Sequence, residues 1–255
     1  MKITLLQTDI SWADPEKNIG RAEELMAECE GSDLYVLPEM WATGFATKPE
    51  GIAEEERTSR ALAWMRHTAV RKRCAISGSL AVRLQDGAYR NRHYFVAPDK
   101  VSFYDKRHLF SHGHEDEHYT RGSHAVIAEW KGWRFLLQTC YDLRFPVWSR
   151  NRGDYDTVLY VANWPTPRVE AWKALLRARA IENQCYVAGV NRVGTDPSCE
   201  YCGGSAIISP YGQTLADCED GKECVAEAEI DMQALEAFRQ KFPVLNDADG
   251  FYVER

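Results

Sequence analysis

The sequence has no apolar stretch approaching the roughly 20 residues that a membrane-spanning helix requires. Its first eight residues, Met1-Lys2-Ile3-Thr4-Leu5-Leu6-Gln7-Thr8, have the pattern of a strand. They lack the small-residue cleavage site of a secretory signal peptide. We therefore expect no membrane partner and a cytoplasmic location.

An excess of positive charge is also missing. The chain of 255 residues carries 31 Lys and Arg against 38 Asp and Glu, which gives a net charge of −7 at pH 7. General binding to the phosphate backbone of nucleic acid requires a basic face. We therefore expect no nucleic-acid partner, and small molecules are the favoured ligands.

Neither a low-complexity linker nor a repeat of about 20 to 50 residues divides the chain, so a single domain over residues 1–255 is predicted. Strand patterns at 5–10 and 34–37 flank a helix pattern that begins at Asp14-Pro15. Hairpin patterns follow, for example around the tight turn Pro98-Asp99-Lys100. Crossover helices mixed with hairpins predict an α/β fold with two sheets between outer helices, and a single doubly wound sheet is the alternative.

The eight cysteines are interpreted as free thiols, because disulfides are rare in the cytosol. They are Cys29, Cys74, Cys140, Cys185, Cys199, Cys202, Cys218 and Cys224. Cys199-Glu200-Tyr201-Cys202 is a CxxC motif without the second pair or the histidines of a zinc site, in a segment that indicates a loop. We expect a structural or incidental role for it and no bound zinc. A thiol–disulfide protein is the alternative.

Cys140 is the most informative of these cysteines. It ends the apolar run Phe135-Leu136-Leu137-Gln138-Thr139 and opens a polar turn, after which a helix is predicted to begin at Pro146. A strand-to-helix turn exposes the side chain at its apex and directs backbone N–H groups at whatever that side chain attacks. The pattern favours a nucleophile beside an anion-stabilising site, and a buried structural cysteine is the alternative.

Two charged residues also follow strand patterns. Glu39 comes after the segment 34–37, and Lys106 comes after Phe103-Tyr104-Asp105. A thiol nucleophile needs a base to take its proton and a positive charge for the oxyanion. Side chains at the ends of neighbouring strands gather in space, so these two residues and Cys140 could form one site. Taken alone, Glu39 and Lys106 are each better interpreted as a solvated surface charge, so only their combination with Cys140 points to a site.

Three segments around these residues occur in the order found in nitrilases. They are Leu37-Pro38-Glu39-Met40-Trp41-Ala42-Thr43-Gly44-Phe45, Tyr104-Asp105-Lys106-Arg107-His108-Leu109-Phe110 and Cys140-Tyr141-Asp142-Leu143-Arg144-Phe145-Pro146. The chain resembles the carbon–nitrogen hydrolase (nitrilase) superfamily over almost its whole length, and most of all the omega-amidase branch of that superfamily.

The resemblance implies a four-layer α-β-β-α sandwich, usually paired as a homodimer, that needs no cofactor and no metal. It implies a triad of Glu39 as general base, Lys106 as cation and Cys140 as nucleophile, with Lys106 and the Tyr141 N–H at the oxyanion. The implied reaction is hydrolysis of a small omega-carboxamide, such as 2-oxoglutaramate or 2-oxosuccinamate, through a thioester. Nitriles, N-carbamoyl compounds and a non-catalytic binding module are the alternatives.

The resemblance also implies a second glutamate that orients the lysine. Glu115 and Glu117 are the candidates, and the spacing to Gly122 favours Glu115. The same region is rich in histidine, with His108, His112, His114 and His118. Imidazoles bind zinc, but this spacing fits no closed zinc site, so a mobile polar loop at the active site is expected instead.

Aromatic residues near these segments are predicted to line the substrate pocket. They are Trp41, Phe45 and Trp164, with core packing as the alternative for each.

Two further pairs are predicted to be structural. Asp142 and Arg144 flank the nucleophile turn and are expected to brace it by pairing, although Arg144 could instead bind a substrate carboxylate. Arg179 and Glu182 have the i,i+3 spacing of a side-chain pair on a helix.

Overall fold

The computed structural model describes residues 1–253 and contains, within them, fifteen strands and five α-helices. The strands are β1 (Lys2–Gln7), β2 (Leu34–Val36), β3 (Glu54–Glu55), β4 (Ala75–Arg83), β5 (Tyr89–Val96), β6 (Val101–Asp105), β7 (Ile127–Trp130), β8 (Trp133–Thr139), β9 (Thr157–Ala162), β10 (Tyr186–Asn191), β11 (Val193–Thr195), β12 (Glu200–Cys202), β13 (Ala206–Ile208), β14 (Thr214–Asp217) and β15 (Cys224–Glu229). The helices are α1 (Pro15–Glu28), α2 (Arg60–Lys72), α3 (Glu115–His118), α4 (Val169–Glu182) and α5 (Met232–Lys241).

The first two helices begin where the sequence supplies caps. The Asp14 side chain accepts a hydrogen bond from a backbone N–H in the first turn of α1, and Ser59 caps α2 in the same way. Helix α2 ends at Arg73, whose φ of 54° lies in the left-handed region. Its N–H bonds back to carbonyls of the last turn, as is common where helices stop.

Two large sheets contain most of the strands. The first has the order β15-β1-β2-β4-β5-β6, with β3 also paired to β4, and the second has the order β14-β13-β10-β9-β8-β7. In the first sheet β1, β2 and β4 are parallel, and β4, β5 and β6 are joined as antiparallel neighbours. In the second sheet β8, β9 and β10 are parallel. Strands β11 and β12 form a separate hairpin.

The two sheets pack face to face. Phe95 of β5 stacks on Phe135 of β8 with ring centroids 5.3 Å apart, and Leu5, Val36 and Leu159 are fully buried in the same core. Helices α1 and α2 cover the outer face of the first sheet, and α4 covers the outer face of the second. The layers are therefore α-β-β-α, and the predicted fold class is confirmed; residues 1–253 form two large sheets and not the single doubly wound sheet of the alternative.

Two local expectations are wrong. No helix begins at Pro146; instead Cys140–Arg144 forms a 3₁₀ turn directly after β8. The residue before a proline disfavours helical dihedrals, and Phe145 has φ −116° and ψ 84°. The CxxC motif is not a plain loop either, because Cys202 lies in β12 of the β11–β12 hairpin. No helix within residues 1–253 has both the length and the apolar character to cross a membrane.

Candidate active site

The predicted catalytic residues lie close together at the end of the sandwich where their strands terminate. Glu39 lies beyond the carboxyl end of β2, Lys106 beyond that of β6 and Cys140 beyond that of β8. Strands β2 and β6 are not neighbours, since β4 and β5 lie between them, and β8 belongs to the other sheet. The three residues therefore meet because the two sheets face each other, which corrects the expectation that their strands are neighbours.

The nucleophile turn holds Cys140 in an unusual backbone conformation. Cys140 has a φ of 44°, in the left-handed region that side-chain-bearing residues rarely adopt, at a cost of about 1–3 kcal/mol. The Thr139 N–H donates to the Asp142 carboxylate at 3.0 Å, which ties the start of the turn to its third residue. The Cys140 side chain is largely buried, and its Sγ lies 3.8 Å from the Asn163 carbonyl oxygen.

Lys106 is held between two buried carboxylates. Its Nζ lies 2.8 Å from Glu39 Oε1 and 2.8 Å from Glu115 Oε2. The Asn91 amide donates one hydrogen bond to each glutamate, at 2.7 Å to Glu39 and 2.9 Å to Glu115. The Phe110 N–H also donates to Glu115 Oε2 at 2.7 Å. Both oxygens of Glu115 and Oε1 of Glu39 therefore have donors, as buried polar groups require.

Glu39 receives further donors from the second sheet. The Asn163 backbone N–H lies 2.9 Å from Glu39 Oε2, and the Asn163 side-chain amide donates to the Glu39 carbonyl at 2.6 Å. The next residue, Met40, has a φ of 44°. Glu39 is thus fixed from both sheets at the start of a tight turn.

The pKa values of these groups follow from burial and from each other. Burial lowers the pKa of Lys106, but Glu115 and Glu39 outweigh it, so the pKa lies above its usual range and the amine stays charged. Burial raises the pKa of Glu115, against the opposing effect of Lys106. Burial, followed by the Glu39 charge, raises the pKa of the Cys140 thiol well above 9.0. At rest the cysteine is therefore a thiol, and its Sγ hydrogen-bonds the Asn163 carbonyl.

A cavity of about 290 Å³ opens above Cys140. Its walls are formed by Phe45, Thr47, Phe110, His112, Gly113, Cys140, Tyr141, Arg144, Asn163, Trp164, Pro165, Arg168, Ser198, Cys199 and Tyr201. Phe45 and Trp164 thus lie where the sequence predicted, and the Lys106 Nζ is 5.3 Å from the centre of the Phe45 ring.

Trp41 does not line this cavity, and the expectation that it does is wrong. Its ring is buried under the outer helices, with its centre 5.2 Å from that of Trp64 in α2. Residues 39–43 form a turn rather than a strand, so Glu39 and Trp41 do not share a face although they are two positions apart.

The expected pairing of Asp142 with Arg144 is also wrong. The Asp142 carboxylate instead bonds His108 and Tyr104, at 2.7 and 2.8 Å. The Arg144 guanidinium lies over the Trp164 ring, 4.9 Å from its centre, and faces the cavity. The buried carboxylate already has hydrogen-bond partners in Tyr104 and His108, which leaves the Arg144 guanidinium available for other partners.

The cavity wall is cationic. Arg144 and Arg168 both line it, and no Asp or Glu among residues 1–253 does. Arg168 lies over the Phe110 ring at 5.5 Å. Within residues 1–253, neither guanidinium has a carboxylate within ion-pair distance. Both therefore suit an anionic group on a bound ligand.

The remaining predicted residues are distributed as follows. Glu117 is at the surface, paired with His114 at 2.8 Å, so Glu115 is the glutamate that the fold brings to Lys106. Arg179 pairs with Glu182 at 2.8 Å and also donates to the Leu143 carbonyl at 2.6 Å, which ties α4 to the nucleophile turn. In the part of the chain that the structure describes, no three or more His, Cys, Asp or Glu side chains form a group that could hold a metal ion.

Sequence reasoning missed several residues of the site. Asn91 is the third residue of β5, and nothing in the strand pattern marks it. Asn163 and Arg168 follow β9, and the only available signal was their position after a buried strand. The cavity wall at Ser198 and Cys199 belongs to a hairpin that approaches the site from a distant part of the chain.

Comparison with known proteins agrees with this geometry. The family model described as carbon-nitrogen hydrolase matches residues 2–240. Omega-amidase YafV of Escherichia coli K12 is 47% identical over 253 residues, covering 98% of each chain. The 2-oxoglutaramate amidase of Bacillus subtilis is 39% identical over 253 residues, covering 96% of each. The chain belongs to the carbon–nitrogen hydrolase family.

A solved structure supports the same assignment. It is a CN-hydrolase superfamily protein from Xanthomonas campestris, with an arsenic adduct in its active site. It is 42% identical, superposes with a TM-score of 0.95, and the match covers 100% of this chain and 99% of that one. The predicted superfamily, its fold and the prediction that the chain is an enzyme are confirmed.

Proposed function

We propose that this enzyme hydrolyses the amide bond of a small omega-carboxamide, releasing ammonia and a carboxylate through a thioester on Cys140. The observation that carries the proposal is the buried group in which Lys106 lies 2.8 Å from both Glu39 and Glu115, beside the Cys140 thiol. A charged lysine and an adjacent base at the foot of a cavity that can admit the substrate are what thiol attack on an amide requires.

The first half-reaction forms the thioester. Glu39 takes the proton from Cys140 Sγ while the sulfur attacks the amide carbon. The carbonyl oxygen becomes an oxyanion, which the Lys106 ammonium and the Tyr141 N–H stabilise. Glu39 then gives the proton to the amide nitrogen, the C–N bond breaks, and ammonia leaves.

The second half-reaction releases the acid. Glu39 takes a proton from a water molecule as the water oxygen attacks the thioester carbon. The same two donors stabilise the second oxyanion. The C–S bond then breaks, the proton returns from Glu39 to the Cys140 sulfur, and the carboxylic acid product ionises in solution. Glu115 keeps Lys106 oriented through both steps.

The charge and shape of the cavity favour a substrate that carries a carboxylate at some distance from the scissile amide. Arg144 and Arg168 supply positive charge, and Phe45 and Trp164 supply apolar walls, in a volume of about 290 Å³. Monoamides of short dicarboxylic 2-oxo acids, such as 2-oxoglutaramate and 2-oxosuccinamate, have this combination. Relatives named omega-amidase and 2-oxoglutaramate amidase support the same class.

The experiment that tests this is ammonia release from a panel of short amides, combined with mass spectrometry of the enzyme after brief exposure to each. We expect release from the omega-monoamides and an acyl adduct that maps to Cys140. Release only from N-carbamoyl compounds or nitriles would select another activity of the superfamily. No release and no adduct from any substrate would favour a non-catalytic binding module.

We also propose a homodimer in the cytoplasm. All eight cysteines are free thiols, which suits a reducing compartment. Ile181, Tyr211 and Phe242 expose 51, 61 and 59% of their surfaces near the ends of α4 and α5, and apolar exposure of this kind suits an interface. Sedimentation velocity measures the mass, and a monomer at micromolar concentration would contradict the dimer.

A further inference from the structure

The proposed catalytic groups belong to two different sheets. Glu39 and Lys106 follow strands of the first sheet, whereas Cys140 follows β8 of the second. The contact between the sheets is a core of buried apolar side chains. Such contacts are non-directional, so they bring the sheets together without setting the position of one side chain against another. Directional hydrogen bonds between the sheets are needed for that.

Asp142 forms such hydrogen bonds next to the nucleophile. Its Oδ2 accepts from the Tyr104 hydroxyl at 2.8 Å, and its Oδ1 accepts from the His108 backbone N–H at 3.0 Å and from His108 Nδ1 at 2.7 Å. Tyr104 and His108 lie two residues before and two residues after Lys106, and Asp142 lies two residues after Cys140. One buried carboxylate thus connects the segment that carries the cation to the turn that carries the sulfur.

The Asp142 carboxylate is the acceptor shared by Tyr104 and His108, and this determines where the protons of those two side chains lie. A carboxylate accepts hydrogen bonds, so His108 Nδ1 is assigned as the donor in this contact, which places a hydrogen on that nitrogen. The Tyr104 hydroxyl donates to Asp142 while accepting from the Arg107 N–H and from Trp148 Nε1, both at 3.0 Å. Burial, followed by the Asp142 charge, raises the pKa of Tyr104, so the phenol keeps its proton.

We propose that Tyr104, His108 and Asp142 are positioning residues that clamp the Cys140 turn to the Lys106 segment. The inference rests on the proposed function, because it assigns these three side chains to the geometry of sulfur attack. None of the three lines the cavity, so they act through Cys140 and Lys106 and not by contact with substrate. Loosening the clamp therefore lowers kcat and leaves KM nearly unchanged.

His108 offers a matched pair of substitutions. Its ring stacks on Phe145 with centroids 3.9 Å apart, in addition to donating from Nδ1. His108→Phe keeps the stacked ring and removes the donor, whereas His108→Asn keeps an N–H donor near the Nδ1 position and removes the ring. We expect His108→Phe to lose roughly ten- to a hundredfold in kcat, the range for misplacing a reacting group by about 1 Å. His108→Asn should stay within about threefold of the wild type, although it loses the stacking contact.

A second measurement does not depend on amide turnover. Iodoacetamide alkylates thiols, and mass spectrometry assigns the modified cysteine. We expect Cys140 in His108→Phe to be alkylated more slowly than in the wild type, and His108→Asn to restore the rate. Tyr104→Phe, which removes only the hydroxyl, should resemble His108→Phe. Thermal melts show whether each variant folds.

The outcomes separate the two proposals. Wild-type kcat and wild-type alkylation in His108→Phe would overturn the clamp, as would a His108→Asn variant that is equally impaired. If the wild type releases no ammonia from any amide, the proposed function fails, and the alkylation rates still test the clamp. If His108→Phe does not fold, Tyr104→Phe provides the same comparison.

Discussion

The Nζ of Lys106 lies 2.8 Å from Oε1 of Glu39, and neither side chain is exposed to solvent. Glu115 is equally close and equally buried, so two carboxylates share one ammonium. The balance of charge explains why the pKa of Lys106 is raised although burial acts to lower it. It also explains why the pKa of Glu115 is raised although Lys106 acts to lower it.

Lys106→Met should abolish amide hydrolysis and destabilise the fold by about 3–5 kcal/mol near neutral pH, because it leaves Glu39 and Glu115 buried without a cation. The pKa values of Glu39 and Glu115 in the folded variant are then higher than the pKa values of the same groups in the unfolded chain. The native variant therefore binds more protons than its unfolded state, and its stability falls as pH rises. Urea unfolding of the wild type and of Lys106→Met at about pH 5 and pH 8 measures how the stability of each protein changes with pH. Loss of only a few-fold in activity would show that Lys106 is not the oxyanion cation.

Cys140→Ala should abolish turnover without unfolding the chain, since one small side chain replaces another. The matched control is Cys199→Ala, which removes the other thiol that lines the cavity. We expect the control to keep most of its activity. The reverse pattern, with Cys140→Ala active and Cys199→Ala inactive, would support the thiol–disulfide alternative. Ammonia release and a thermal melt of each variant decide between them.

Glu115→Gln should lower kcat by about a hundredfold or more, because the amide removes one of the two negative charges that hold the Lys106 ammonium. Glu117→Gln is the matched control, two positions away and at the surface. It should have the kcat of the wild type. Steady-state kinetics on one good amide measures both. Equal effects of the two substitutions would contradict the assignment of Glu115.

Arg144→Gln and Arg168→Gln should weaken binding of substrates that carry a distal carboxylate. Loss of one charge-assisted hydrogen bond is worth about 1.5–3 kcal/mol, which corresponds to roughly a ten- to hundredfold rise in KM. A neutral amide of similar length, such as pentanamide, should be affected little. Comparing the KM values of the two substrates in each variant isolates the contribution of the distal carboxylate charge to binding. If both substrates lose equally, the arginines maintain the fold of the cavity and do not select the anion.

The thiolate of Cys140 should form only in alkaline solution in the resting enzyme, because burial and the Glu39 charge raise its pKa well above 9.0. Absorbance at about 240 nm, taken as wild type minus Cys140→Ala, follows thiolate formation. We expect no step in this difference between pH 6 and pH 9. Glu39→Gln removes a negative neighbour, so it should shift the step to lower pH. A step near pH 7 in the wild type would mean that a preformed thiolate is the nucleophile.

Local chain signals predicted the strand ends and the motifs well. Glu39 and Cys140 each follow a buried strand, Lys106 follows the partly exposed strand β6, and the structure brings all three together. The error over Trp41 came from assuming that residues close in sequence to Glu39 share its surroundings. The turn at 39–43 places this ring under the outer helices instead. The error over Asp142 and Arg144 had a related cause, because His108 reaches Asp142 from another sheet.

The sequence by itself determined the alternation of strands and helices, the order of the three motifs and the chemical types at the site. These depend on local hydrophobic pattern and on residue identity, which are properties of short segments. Only the tertiary structure decided which side chains meet. Asn91 bridges the two glutamates, Asn163 reaches Glu39 from the second sheet, and Arg144 and Arg168 face the same cavity. Such contacts depend on how two sheets pack against each other, and no single segment of the chain carries that information.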